Sequence, residues 1–114
     1  MKVGIDKLHF ATSHLYVDMA ELAVARQAEP DKYLIGIGQS KMAVIPPSQD
    51  AVTLAANAAA PMLTAEDIAA IDLVVVGTES GIDNSKASAI YVAKLLGLNR
   101  RVRTIEMKEA GYAA

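Results

Sequence analysis

The 114-residue chain contains no cysteine. That absence removes disulfides, thiolate metal sites and thiol nucleophiles together, and leaves the redox compartment undecided. A long apolar run is also missing, since no stretch approaches the ~18 consecutive apolar residues of a membrane span. Met1-Lys2-Val3-Gly4-Ile5-Asp6 puts an acid where a secretory signal peptide needs its apolar segment. The expectation is a cytoplasmic protein with no membrane association. Nor is there an excess of positive charge. Eleven Lys and Arg against thirteen Asp and Glu give a net charge of −2 and a pI near 5.6, which argues against nucleic acid as a partner.

What the chain has in quantity is apolar residues, 53% of the total, with a mean hydropathy of +0.26. Its length allows one domain and not two. A domain of this size buries only about 65% of its unfolded surface, so part of the apolar content is expected to meet a partner surface.

Along the chain, partial alternation over residues 2–11 predicts a first strand, with Val3, Ile5, Leu8 and Phe10 apolar. Asp18 followed by Glu21 has capping-box spacing and predicts a short helix that stops before Pro30. Residues 30–49 carry Gly36, Gly38, Pro46 and Pro47 without a sustained period, and read as a long loop around Tyr33-Leu34-Ile35. Ser48 is the expected cap of the next helix, in which five alanines among residues 55–60 allow close approach of another backbone. Pro61 should end or kink that helix, and Thr64 with Asp67 should start another that fades by Ala70. Ile71 to Thr78 is a near-continuous β-branched run, the pattern of a parallel strand covered on both faces. A helix capped by Asp83, Asn84 or Ser85 and stopped by Gly97 follows, then a strand over residues 102–107. The order predicts an α/β layer arrangement.

Ligands in such sheets meet the carboxyl ends of strands, here Gly77-Thr78-Glu79-Ser80 and Lys108-Glu109-Ala110-Gly111-Tyr112. A carboxylate directly past an apolar strand can be desolvated and poised as a general base, and Glu79 stands there. The same residue also reads as a solvated loop acid, and composition does not choose between the two. Gly36-Ile37-Gly38 falls short of a dinucleotide fingerprint because Lys41 occupies the third glycine position. His9 and His14 lack metal-ligand spacing and read as structural or surface residues, so no metal site is expected. Arg100, Arg101 and Arg103 read as a solvated strand entry rather than a phosphate clamp.

Taken in order, Gly4-Ile5-Asp6, Ile35-Gly36-Ile37-Gly38-Gln39, Ser48-Gln49-Asp50, Gly77-Thr78-Glu79-Ser80 with Asp83, Ser85 and Lys86, and Glu106 through Tyr112 resemble the N-terminal part of bacterial hydroxymethylglutaryl-CoA (HMG-CoA) synthases. The resemblance covers all 114 residues and implies a thiolase-like layered fold, of which this chain is the N-terminal strand and helix portion. It implies an acyltransferase of the mevalonate pathway of isoprenoid biosynthesis. In this family a cysteine is acetylated by acetyl-CoA, a glutamate deprotonates the acetyl methyl, and the carbanion attacks acetoacetyl-CoA. No cofactor is implied beyond these CoA thioesters, and a homodimer is expected of the full-length enzyme. Glu79 corresponds to the general base and Asp83 to a supporting acid. Gly111 stands where the family carries its nucleophilic cysteine, in Glu109-Ala110-Gly111-Tyr112. The family's catalytic histidine and most of its CoA-binding surface are expected beyond Ala114, so the chain alone should be inactive. Two rivals stay open: a thiolase-fold ketoacyl synthase fragment, disfavoured by Gly77-Thr78-Glu79, and a non-catalytic subunit that pairs through its alanine-rich face.

Overall fold

The structure, a computed structural model, describes residues 3–108. They fall into two compact units, one of Thr12–Ser48 and one of residues 3–11 with 49–108.

In the first unit β1 (Leu15–Asp18) pairs antiparallel with β2 (Lys41–Val44), with Leu15 opposite Val44 and Asp18 opposite Lys41. Asp18 ends the strand and caps α1 (Met19–Ala25), accepting from the amides of Ala20 and Glu21 as its spacing predicts. The helix closes with Gln27 in the left-handed region at φ 52°. The Ala28 amide then reaches back to the Ala23 carbonyl at 2.9 Å, satisfying a carbonyl that the helix end would orphan. Met19 and Ala23 are the buried residues of α1. The segment expected to be one long loop holds more order than its composition suggests: a π-helical turn over Lys32–Ile37, ended by Gly38 at φ 72°, and then β2. Gly38 therefore serves chain geometry, as a loop glycine should.

In the second unit α2 (Ala51–Ala59) is capped by Asp50 rather than Ser48. The Asp50 carboxylate accepts from the Thr53 amide at 2.7 Å, and the Thr53 hydroxyl accepts from the Asp50 amide at 2.8 Å. Asp50 with Thr53 offers both halves of a reciprocal cap. Pro61 ends the helix, which tightens into a 3₁₀ turn over Ala60–Met62. Thr64 and Asp67 form the predicted reciprocal cap of α3 (Ala65–Ala70). Then β3 (Leu73–Gly77) runs parallel to β4 (Arg103–Met107), and α4 (Ser88–Leu95) connects them. Gly97, at φ 69°, terminates α4 as expected: its amide and that of Leu98 bond to the carbonyls of Lys94 and Ala93. α2 packs on α4, and their buried side chains are small: Val52 and Ala56 on one, Ser88, Ala89, Val92 and Ala93 on the other. The alanine-rich face is thus used in part inside the chain.

Two expectations are corrected. Residues 3–11 form no strand, and Val3, Ile5, Leu8 and Phe10 are each more than 80% exposed. An alternating pattern becomes a strand only when its amides and carbonyls find a neighbour, and the described sheets pair β1 with β2 and β3 with β4 only. Among the described residues, β3 is likewise not covered on both faces. Val74 and Val76 face the side where α4 packs, while Leu73 and Val75 are 40% and 49% exposed beside Ile105 and Met107 of β4. A two-stranded parallel sheet with one open apolar face is a surface that seeks cover. The isolated chain should therefore self-associate, and a monodisperse monomer in sedimentation velocity with cooperative thermal unfolding would contradict this.

Candidate active site

The register of β3 and β4 sets the site. Gly77 lies opposite Met107, so both strands end at the same level, and the Thr78 amide donates to the Met107 carbonyl at 3.1 Å. The chain leaving β3 carries Glu79 and Asp83; the chain leaving β4 runs through Lys108. Gly111 and Tyr112 lie outside the described residues. Both expected strand ends are therefore side by side, at the edge where parallel sheets meet ligands.

Thr78 shapes the first turn of the loop, its hydroxyl accepting from the Ser80 amide at 3.2 Å. Glu79 is solvent-exposed in this structure. The desolvation suggested by its place after an apolar strand is not realised among the described residues, because β3 has only one covered face.

Asp83 is held far more tightly. Its carboxylate accepts from the amides of Ser85 at 2.8 Å and Lys86 at 3.0 Å, and from the Tyr91 hydroxyl at 2.9 Å. Lys86 in turn lies over the Tyr91 ring, 4.4 Å from its centroid. These donors, the Ser85 amide foremost, pull the Asp83 carboxyl down to about 2, and the bond to Asp83 raises the Tyr91 hydroxyl above its ordinary value. A depressed acid holds the loop through its charged form. That contribution is complete above about pH 4, the ordinary range of an aspartate, and is lost as the pH falls through about 2. A carboxyl-carbon NMR titration should place the Asp83 midpoint near 2; a midpoint in the ordinary aspartate range would show that these bonds do not hold the loop.

Asp83 does not cap α4, contrary to expectation, and neither Asn84 nor Ser85 does so. The cap position is Ala87, which offers no side-chain acceptor. The first-turn amide of the buried Ser88 is instead taken by Glu106 of β4, whose Oε2 accepts at 2.6 Å. The family motif beginning at Glu106 assigns that residue no role, although the alternation of Val102, Thr104 and Glu106 puts it on the inward face of its strand. Together Asp83, Ser85, Lys86, Glu106 and Lys108 line a cleft of about 300 Å³ at the strand ends.

The other candidates lie elsewhere. Arg100, Arg101 and Arg103 are exposed around the start of β4, the opposite end of the strand from the Glu79 loop. His9 and His14 are exposed, and the described residues hold no cluster of His, Asp and Glu fit for a metal ion. Among them, no helix is long and apolar enough to cross a membrane.

The parallel strands β3 and β4 joined through α4, with an acid-bearing loop after β3, form part of a thiolase-like α/β fold, here its N-terminal portion. Residues 1–114 match the family described as hydroxymethylglutaryl-coenzyme A synthase N terminal. The chain belongs to that family. A hydroxymethylglutaryl-CoA synthase of Enterococcus faecalis is 54% identical over the whole chain, which spans 30% of that protein. A polyketide-biosynthesis 3-hydroxy-3-methylglutaryl-ACP synthase of Bacillus subtilis is 34% identical over 99% of this chain and 27% of its own length. A crystal structure of an HMG-CoA synthase complexed with CoA superposes with a TM-score of 0.90 at 45% identity, covering 99% of this chain and 29% of that one.

Proposed function

We propose that this chain is the part of an HMG-CoA synthase that carries the general base, Glu79, and its supporting acid, Asp83, with the nucleophile position occupied by glycine at residue 111. The single observation that carries the reading is the shared level of the β3 and β4 ends, which supports a base from one loop acting on an acyl group held after the other. In the reaction, a thiolate takes the acetyl group and releases CoA. Glu79 removes a methyl proton, and the resulting carbanion adds to the ketone of acetoacetyl-CoA, whose oxygen is protonated to the hydroxyl. Water then cleaves the enzyme thioester, yielding HMG-CoA and the free thiol. CoA itself carries the acyl chemistry, so the reading calls for no metal or further cofactor. The setting it fits is a cytoplasmic, homodimeric acyltransferase supplying isoprenoid synthesis.

Glycine bears no group that can hold an acyl chain, so the chain as written is inactive in this reaction. Gly111 itself favours a second reading, a non-catalytic subunit. The deciding experiment joins this chain to the remaining part of the Enterococcus faecalis relative, restores cysteine with Gly111→Cys, and assays formation of HMG-CoA from acetyl-CoA and acetoacetyl-CoA. Turnover supports the synthase reading. A folded but inactive fusion overturns it, and copurification of the unaltered chain with a second thiolase-fold subunit would favour the alternative.

A further inference from the structure

Strand β4 alternates regularly: Arg103, Ile105 and Met107 face outward and are exposed, while Thr104 and Glu106 face inward, level with Val74 and Val76 of β3. The inward face is the one on which α4 packs, and the ordinary occupant of such a position is apolar. Here it is a carboxylate whose side chain is only 5% exposed. A buried carboxylate is costly unless its charge is matched by donors, so its partners indicate why it is there.

One oxygen, Oε2, accepts from the Ser88 amide, a first-turn donor of α4 that no local side chain caps. The other, Oε1, makes no hydrogen bond and faces the Lys108 ammonium at 3.6 Å. Beside it is the fully buried Ser88 hydroxyl, also without a hydrogen-bond partner. Gly81, in the loop between Glu79 and Asp83, closes against this carboxylate. A Cβ at that position would stand 2.6 Å from Glu106 Oε1 and 3.3 Å from the Ser88 hydroxyl oxygen. The loop backbone therefore rests on the Glu106 side chain, and a Cβ at Gly81 would force that carboxylate to shift.

We infer that Glu106 is a positioning residue: its buried carboxylate ties the end of β4 to the start of α4 and seats Gly81, and so fixes the loop that carries Glu79 and Asp83 relative to the strand leading to residue 111. The inference deepens the condensation reading above and rests on it for its catalytic consequence. The tether itself does not. Asp83 holds its own loop from within, through Ser85, Lys86 and Tyr91. Glu106 holds it from outside, bonding to Ser88 across eighteen residues of sequence.

The test uses the fusion described above with Gly111→Cys, and compares Glu106→Ala, Glu106→Gln and Gly81→Ala. Hydrogen exchange read by mass spectrometry reports the tether without any need for activity. In Glu106→Ala, peptides spanning residues 78–88 should exchange roughly tenfold faster, the equilibrium weight of one charge-assisted hydrogen bond, while those of α2 and α3 stay unchanged. Glu106→Gln keeps an acceptor for the Ser88 amide and should restore most of the protection. Gly81→Ala, with the carboxylate intact, should loosen the same peptides. On the catalytic side, Glu106→Ala should lower kcat for condensation by about 10–100-fold, the scale of an ångström-level misplacement, with the KM for acetyl-CoA and the rate of thiol acetylation held within about twofold.

Unchanged exchange over 78–88 in both Glu106→Ala and Gly81→Ala would overturn the tether. Faster exchange over those residues with undiminished condensation would overturn the positioning role, as would a loss spread evenly over exchange in every element and both half-reactions. A fusion in which the parent does not condense refutes the synthase reading, and the exchange comparison still judges the tether.

Discussion

Incubated with acetyl-CoA, this chain should keep its intact mass, and the same chain with Gly111→Cys, joined to the remainder of an HMG-CoA synthase, should gain one acetyl group on residue 111. The expected contrast is all or none. Acetyl transfer forms a sulfur–carbonyl bond as the CoA–sulfur bond breaks, and glycine presents only hydrogen at its α-carbon. No neighbouring residue can form the thioester, since the chain contains no cysteine at all. Peptide mapping excludes acetylation of surface lysines as the source of any added mass. An acetyl adduct retained on residues 110–112 of the unaltered chain would mean that the nucleophile has been misassigned. Absence of the adduct in the Gly111→Cys fusion, with its fold intact, would mean that this N-terminal portion cannot support the covalent step.

Replacing the proposed base should separate the two half-reactions. In the Gly111→Cys fusion, Glu79→Gln should leave thiol acetylation near the parent rate, because that step requires the nucleophile and its activation but no deprotonation of the methyl group. Carbon–carbon bond formation should fall by roughly 10²–10⁴, the usual contribution of a positioned proton acceptor. Glutamine preserves the shape and removes only the basic oxygen. Normal acetylation with condensation at the parent rate would remove Glu79 from the base role, whereas loss of both steps would assign it to holding the nucleophile turn. The exposure of Glu79 in this chain sharpens the test. A full effect requires that the remainder of the enzyme covers the loop and holds the acetyl group against Glu79.

The contrast between Glu79 and Asp83 shows how far local chemistry reaches. Asp83 draws its low proton affinity from donors within eight residues, two of them backbone amides. Such a cage forms wherever the turn forms. Glu79 owes its proposed reactivity to burial that no element among the described residues provides.

Features built from contacts within a few residues were determined by the sequence. The caps at Asp18 and Thr64, the stop at Gly97 and the break at Pro61 all follow from side chains that satisfy or deny nearby backbone groups. Strand β2 and the failure of residues 3–11 to become a strand were decided by pairing, because an extended segment is stable only beside a partner whose register no local pattern specifies. The cap of α4 was decided in the same way, by a carboxylate eighteen residues further on. Glu106 itself is an ordinary acid in the sequence. It becomes a buried tether only because tertiary packing sets α4 against one face of β4, and on that face desolvation compels a carboxylate to find donors.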